Sequence, residues 1–501
     1  MSFLSPEALL ALVLGSLYGA IFGAIPGLTA TLAISLAIPV LLFLGPQVAL
    51  AALIGITATA IFAGDIGSVL MRMPGTPASA AYTEELHEVA KKRSPAFALG
   101  LASLPSAVGS LIGLGFLVVG SLGLVALAKQ FSSFEYFWLV LLGILSGILA
   151  VPRVLKGAIA FGLGMLLATI GYDPALGNPR FTFGQPSLLG GIDFIVALIA
   201  FFGVSEVLHH LLQQNQSRPP QAQAEGLGGR AIFREYFQEA GKFCWEERIS
   251  LLRSSVLGTF VGFLPGAGSD IAAWISSNLR RMQKGRPEQV ALDGTTANNA
   301  AVAGAWIPAM ALGLPGDTLT AILLGMFLAM GITPGPELFS KHGALVAQIY
   351  LAFFLVSAVV MPLGGYLSAL IVNALLKIPT RVLMGAVLGL CVVGTYAVNS
   401  NPFDLYLLAA LGALGFVLRQ GDFPLGLVVL GMVLGPLLEQ HFMVSMIKTH
   451  WSFASFFERP VAILLALANV LLVALVLSIR YRQWRKLNQL RMLASLAKPE
   501  E

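Results

Sequence analysis

Charge is scarce in this chain. Only 11% of its 501 residues are Asp, Glu, Lys or Arg, against 57% hydrophobic, and the mean hydropathy is +0.83. A soluble fold of this length has to spread charge over its surface, so that class is excluded. Cysteine is nearly absent. Cys244 and Cys391 are too few and too far apart for a disulfide framework or a thiolate metal site. The six histidines, His87, His209, His210, His342, His441 and His450, lack metal-ligand spacing apart from one adjacent pair. No Gly-x-x-x-x-Gly-Lys-Ser/Thr phosphate loop occurs, so nothing marks a nucleotide-driven machine. The N-terminus has no basic segment and small-residue cleavage site, so its first apolar stretch is expected to remain as an anchor. The net charge of +5 points to no nucleic-acid partner. In a chain this apolar, Lys and Arg mainly report which loops stay in the cytoplasm.

What is present is long apolar runs. Residues 134–150, 188–208, 344–370 and 461–479 are long enough, or nearly so, to cross a hydrocarbon core of roughly 30 Å. They are continuous rather than alternating, which argues against a transmembrane β-barrel. The expected fold is an all-α polytopic membrane protein embedded in the lipid bilayer, with about 10 to 12 crossings plus broken or re-entrant pieces. The basic stretch Arg480, Arg482, Arg485, Lys486 and Arg491 follows the last run directly and is expected in the cytoplasm.

Two Pro-Gly breaks interrupt these runs, and both occur twice. Gly23-Ala24-Ile25-Pro26-Gly27 recurs as Gly262-Phe263-Leu264-Pro265-Gly266, with Pro26 and Pro265 lying 239 residues apart. Met73-Pro74-Gly75-Thr76 recurs as Leu314-Pro315-Gly316-Asp317, with Pro74 and Pro315 lying 241 residues apart. Proline removes a helix hydrogen bond and glycine opens backbone conformations closed to other residues, so each pair ends one helix and starts another. In a membrane such breaks are tolerated only where protein or a water-filled cavity receives the freed backbone groups. Repeated breaks are the sequence signature of a transporter binding site. Loop charge relates the halves. The between-break stretch is uncharged over residues 34–64 but carries Arg280, Arg281, Lys284 and Arg286 in the second half. After the second break the bias reverses, with Lys91, Lys92 and Arg93 in half one and only Lys341 nearby in half two. Basic loops face the cytoplasm, so the two halves are expected to form inverted-topology repeats. The expected organisation is a first membrane repeat over 1–212 and a cytoplasmic linker with an amphipathic helix over 213–247. A second repeat covers 248–480 and a basic tail 481–501.

The breaks expose helix N-termini suited to an anion, and small polar side chains cluster there. The candidate substrate-binding set in half one is Pro26, Gly27, Thr29, Thr31, Arg72, Pro74, Gly75 and Thr76. In half two it is Pro265, Gly266, Gly268, Ser269, Asn298, Asn299, Pro315, Gly316 and Thr318. The bland reading of the small residues is close helix packing. Asp65, Ser68, Asp270 and Asp317 are candidates for the coupling ion, because ionisable groups at membrane depth are expensive. Asp65 and Arg72 are seven apart and would share a face of an unbroken helix, either pairing or leaving Arg72 to hold a substrate carboxylate. Asp270 and Asp317 carry the alternative of capping a helix start. Asp173 and Asp193 are expected near the interface.

At these motifs the chain resembles the large membrane subunit of the tripartite tricarboxylate transporters, the TctA family. The matching segments include residues 23–31 and 73–79, Leu264-Pro265-Gly266-Ala267-Gly268, Asn298-Asn299-Ala300 and Leu314-Pro315-Gly316. Gly331-Ile332-Thr333-Pro334-Gly335-Pro336 and Gly171-Tyr172-Asp173-Pro174 also match. The resemblance implies uptake of organic carboxylates across a bacterial inner membrane, coupled to Na⁺ or H⁺, with no other cofactor. It implies two partners, a small four-helix membrane subunit and a periplasmic solute-binding protein. The chain departs from the family pattern at Thr295-Thr296-Ala297, where a Glu-Ser-Ala is usual, and at Asp65, Arg72 and Asp317, where neutral residues are usual. Citrate therefore cannot be carried over as the cargo. No enzymatic activity is expected. An intramembrane aspartyl protease built on Asp65 and Asp317 is the rival reading, weakened by Leu314 where a Gly-x-Gly-Asp motif needs glycine. A passive channel is the third.

Overall fold

In a computed structural model the described residues are 5–25, 28–173, 177–212, 229–264, 268–375 and 380–496, with side chains described except at 371–383 and 479–496. Pro26, Gly27, Pro265 and Gly266, part of the linker, and the side chains of the basic tail lie outside them. The first half comprises α1 (Pro6–Ala24), α2 (Ala30–Leu41), α3 (Pro46–Met71), α4 (Thr83–Lys92), α5 (Pro95–Ala128), α6 (Ser133–Ala150), α7 (Val154–Ala168) and α8 (Phe194–Leu212). A helix over 229–246, α9, joins the halves. The second comprises α10 (Arg248–Phe263), α11 (Gly268–Met282), α12 (Pro287–Leu312), α13 (Thr318–Ala329), α14 (Pro336–Lys341) and α15 (343–375). It ends with α16 (Thr380–Asn399), α17 (Phe403–Gln420), α18 (Leu425–Lys448) and α19 (Pro460–Leu496). Proline opens many of these helices, where its missing N–H costs nothing. Two-residue strands at Gly171–Tyr172 and Pro179–Arg180 pair antiparallel.

Nine helices among the described residues are long and apolar enough to span a membrane, with four shorter apolar helices beside them. Leu9, Leu10, Val13 and Leu14 of α1, and Leu464, Leu467, Val470 and Leu471 of α19, point outward. Apolar faces of that extent are suited to hydrocarbon, not water.

Glycine sets the packing of both halves. Gly19 and Gly23 of α1 meet Ile56 and Ala60 of α3, and Gly258 and Gly262 of α10 meet Ala297 and Ala301 of α12. The glycines are 239 apart and their partners 241, so the spacing seen in the sequence is a spacing of contacts. Both pairings run in parallel, because the partner number rises with the glycine number. α1 ends level with Ile61, about ten residues or ~15 Å before α3 ends. α2 then turns back, with the Tyr18 hydroxyl donating to the Ala33 carbonyl at 3.2 Å. α10 and α11 form the equivalent hairpin, tied by Ser276 to Ser254 at 3.0 Å. A side chain at Gly262 would enter the Ala301 backbone. Gly262→Val is expected to lower stability by about 1–3 kcal/mol, read as a thermal shift in detergent.

The second breaks match as closely. α3 and α12 each end on a left-handed residue, Arg72 (φ 55°) and Gly313 (φ 69°). Met73 N–H then bonds Gly67 O, and Leu314 N–H bonds Pro308 O. The chain folds back so that Gly75 lies on Gly64 and Gly316 on Ala305. At the face where α3 ends, Arg281 at the end of α11 binds Glu85 of α4 at 2.7 Å. α12 departs from that same face, so the second repeat runs opposite to the first. The basic loops after α4 and after α11, which occupy non-equivalent places in the repeats, thus gather on one side.

α9 is an amphipathic helix laid on α5 and α15. It buries Tyr236, Ala240, Phe243 and Cys244, and the Tyr236 hydroxyl lies 2.5 Å from Ser103 Oγ and 2.9 Å from Pro362 O.

Candidate functional site

The broken helices open onto a cavity of about 830 Å³. Thr29 and Thr31 enter it from the start of α2, Thr76 from the turn after α3, and Gly268, Ser269 and Asp270 from the start of α11. Asn298 of α12, Asp317 and Thr318 complete that wall. Residues from all four breaks therefore meet at one place, as inverted repeats require. The opposite wall was not visible as a site in the sequence. It consists of the end of α6, Phe202 and Glu206 of α8, Arg419 of α17 and residues 423–427.

Three helix starts face this space, and two are closed by their own caps. Thr29 Oγ1 accepts from Leu32 N–H at 3.2 Å. Asp317 Oδ1 accepts from Thr320 N–H at 2.8 Å while the Thr320 hydroxyl accepts from Asp317 N–H at 2.9 Å. The capping alternative for Asp317 is thus realised, though its carboxylate still faces the cavity. Asp270 instead accepts from the Ala78 N–H, joining the second break of one half to the first break of the other. Thr76 and Ser79 bond each other reciprocally and hold the intervening turn.

Charge on the lining is uneven. Arg419 makes two bonds to the nearly buried Glu206 carboxylate, one of them at 3.1 Å. Asp270 and Asp317 have no cationic side chain paired to them among the described residues. A Glu within one apolar run and an Arg at the end of another were the available signal for this pair, because charges at membrane depth seek partners.

Several candidates lie elsewhere. Arg72 does not pair with Asp65. The left-handed turn at the end of α3 sends its side chain outward, where it binds Glu84 at 2.6 Å with both groups more than 60% exposed. That hydrogen bond and charge raise the Arg72 pKa further above its ordinary value. Pro74 is exposed beside it, while Gly75, Pro315 and Gly316 are buried in the folded-back turns without lining the cavity. Ser68 bonds Thr83 at 2.9 Å behind the wall.

Asp65 is fully buried behind the cavity. The Tyr82 hydroxyl donates to Asp65 Oδ1 at 3.0 Å and accepts from Asn298 Nδ2 at 3.1 Å. Asp65 Oδ2, Asn298 Oδ1 and both amide atoms of Asn299 have no hydrogen-bond partner among the described residues. Buried polar atoms are nearly always satisfied, which sets this cluster apart from its surroundings. Tyr82 carried no periodic or motif signal and was missed. Among the described residues no group of three or more His, Cys, Asp or Glu is placed to hold a metal ion.

A family model described as "Tripartite tricarboxylate transporter TctA family" matches residues 9–430. An Agrobacterium vitis protein described as "Uncharacterized 52.8 kDa protein in TAR-I ttuC' 3'region" is 32% identical over 463 residues, covering 89% of each chain. A second, "Uncharacterized protein in TAR-II ttuC' 3'region" from the same organism, is 36% identical over 240 residues, 45% of this chain and 97% of its own length. No solved structure matches.

Proposed function

The chain belongs to the tripartite tricarboxylate transporter TctA family, and from that premise we propose that it imports organic di- or tricarboxylates as the large membrane subunit of a three-part secondary transporter. Its partners are a small four-helix membrane subunit and a periplasmic binding protein that delivers the acid, and its place is the bacterial inner membrane. Import is driven by Na⁺ or H⁺. The observation that carries this reading is the meeting of all four breaks at one cavity. The uncapped start of α11 and the small polar side chains at the starts of α2 and α13 hold the substrate carboxylates. The cavity lies between the break-bearing helices α2, α3, α11, α12 and α13 and a wall formed by the end of α6, α8, α17 and residues 423–427. Access alternates as those helices move against that wall.

The aspartyl-protease reading needs two carboxylates sharing one water. Asp317 faces the cavity as a helix cap, whereas Asp65 is buried behind it on Tyr82, so the geometry favours transport.

The test is uptake of radiolabelled citrate, succinate, malate and glutarate into proteoliposomes. They hold this chain and the small subunit, with the binding protein added outside. Gradient-dependent accumulation of at least one acid is expected, and flux of all four independent of any cation gradient would indicate a channel. Asn298→Ala and Thr76→Ala should each cut uptake about tenfold, the loss of one directed hydrogen bond to a charged ligand. Asp317→Asn keeps the helix cap and isolates the role of its charge. Unchanged uptake in all three would remove this site.

A further inference from the structure

We propose that Asp65 carries the coupling proton, and that Tyr82 and Asn298 join it to the substrate cavity, making import proton-driven. This rests on the transport reading above. Asp65 lies within α3, fully buried, with one carboxylate oxygen bonded to Tyr82 and the other without a partner among the described residues. It makes no ion pair among the described residues. An ionised carboxylate in such a place is severely disfavoured, so the group rests as the neutral acid with its proton on the free oxygen. The surroundings agree. α2, α5 and α15 carry no charged side chain, and α1 carries only Glu7, in its first turn. On α4, His87 is engaged with the Val69 carbonyl, Glu84 with Arg72 and Glu85 with Arg281. On α12, Asp293 is taken by Arg253 and Arg280. Asp270 of α11 acts on Tyr82 from the cavity side. The tyrosines of α1 and α15 are bound elsewhere, Tyr18 to Ala33, Tyr350 to Ser121 and Tyr366 in a ring cluster with Tyr236.

Among the described residues, Tyr82 supplies the side-chain hydrogen bond to Asp65. One proton is taken up and the same proton released, with the carboxyl alternating between COOH and COO⁻ and no other group changing. Tyr82 is a positioning residue. It accepts from Asn298, which lines the cavity, and donates to Asp65. A carboxylate that engages the Asn298 amide therefore alters the bond on which the charged form of Asp65 depends.

The experiment uses the same three-part proteoliposomes and whichever acid of the citrate, succinate, malate and glutarate panel exchanges fastest. Two readouts are taken: accumulation under an inward proton gradient without Na⁺, and substrate counterflow without any gradient. One proton per substrate under about two pH units supports about 100-fold accumulation, a factor of ten per unit. Asp65→Asn should abolish that accumulation while leaving counterflow intact. Tyr82→Phe should retain accumulation with its pH profile moved to higher pH, because the charged form loses its donor. Accumulation by a Na⁺ gradient alone overturns the proposal, as does gradient-driven accumulation that survives Asp65→Asn, or a Tyr82→Phe profile identical to wild type. Loss of counterflow in Asp65→Asn also overturns it, assigning Asp65 to binding. Absence of counterflow in the wild type would instead overturn the transport reading.

Discussion

Asp293→Ala is expected to cost about 3–5 kcal/mol and to leave little folded protein at physiological temperature. Asp293 has no exposed surface, yet it receives Arg253 Nη2 at 2.6 Å, Arg280 Nε at 2.8 Å and Ser250 Oγ at 2.5 Å. Glu247 accepts from Arg280 at 3.2 Å and from Gln289 at 2.5 Å. This one network ties α10, α11 and α12 together, and so fixes the re-entrant hairpin of the second half to the helix beside it. Truncating Asp293 leaves two guanidiniums with a single carboxylate between them, and Arg280 is already largely buried. Removing one partner of a buried pair is expensive because the other stays behind uncompensated. Asp293→Asn keeps the volume and part of the hydrogen bonding and should lose less. Thermal unfolding in detergent distinguishes the three proteins. Equal melting temperatures would show that the network adds nothing to the fold.

Arg419→Ala should have the second largest effect, and on two quantities at once. It leaves the Glu206 carboxylate, which is only 4% exposed, with His210 Nε2 at 3.3 Å as its neighbour in place of a fixed cation, and a loss of about 3 kcal/mol follows from the same reasoning. It also leaves Glu206, Asp270 and Asp317 on the cavity lining with no side-chain cation among the described lining residues. Anion binding should then fail even in protein that folds. Exchanging the charges, as Glu206→Arg with Arg419→Glu, should recover stability and leave transport impaired. The field in the cavity depends on which helix of that wall carries the cation, whereas the pair energy does not. Full transport in the exchanged protein would mean that the pair is only structural.

The sequence made the repeats legible because proline and glycine act through the backbone, and backbone geometry is local. The offsets between the breaks reappear as the offsets between glycine contacts, down to the left-handed residues that end α3 and α12. Side-chain destinations were harder to read. On a continuous helix Arg72 would share a face with Asp65, but the helix ends one residue earlier and the left-handed turn directs the side chain outward. Tyr82 reaches Asp65 across 17 residues and a folded-back turn, and Arg419 meets Glu206 across 213, separations for which helical periodicity has no rule. The small polar residues at the breaks were readable as a set, since a broken helix exposes whichever side chains follow it. The opposing wall carried no break and gave no comparable sign.

The matched contacts also bear on the energetics of the cycle. If the halves were identical, exchanging their conformations would turn a cavity open to one side into its mirror, open to the other, at no cost in free energy. The two access states would be degenerate by symmetry. Applying the 241-residue offset, Asp65 corresponds to Trp306 and Asn298 to Thr57. Asp65 and Asn298 thus belong to one copy each, without counterparts. These unmatched positions lift the degeneracy, and each ligand tips the balance only by its differing affinity for the two states. Direction in this protein is then a property of the few places where its halves disagree.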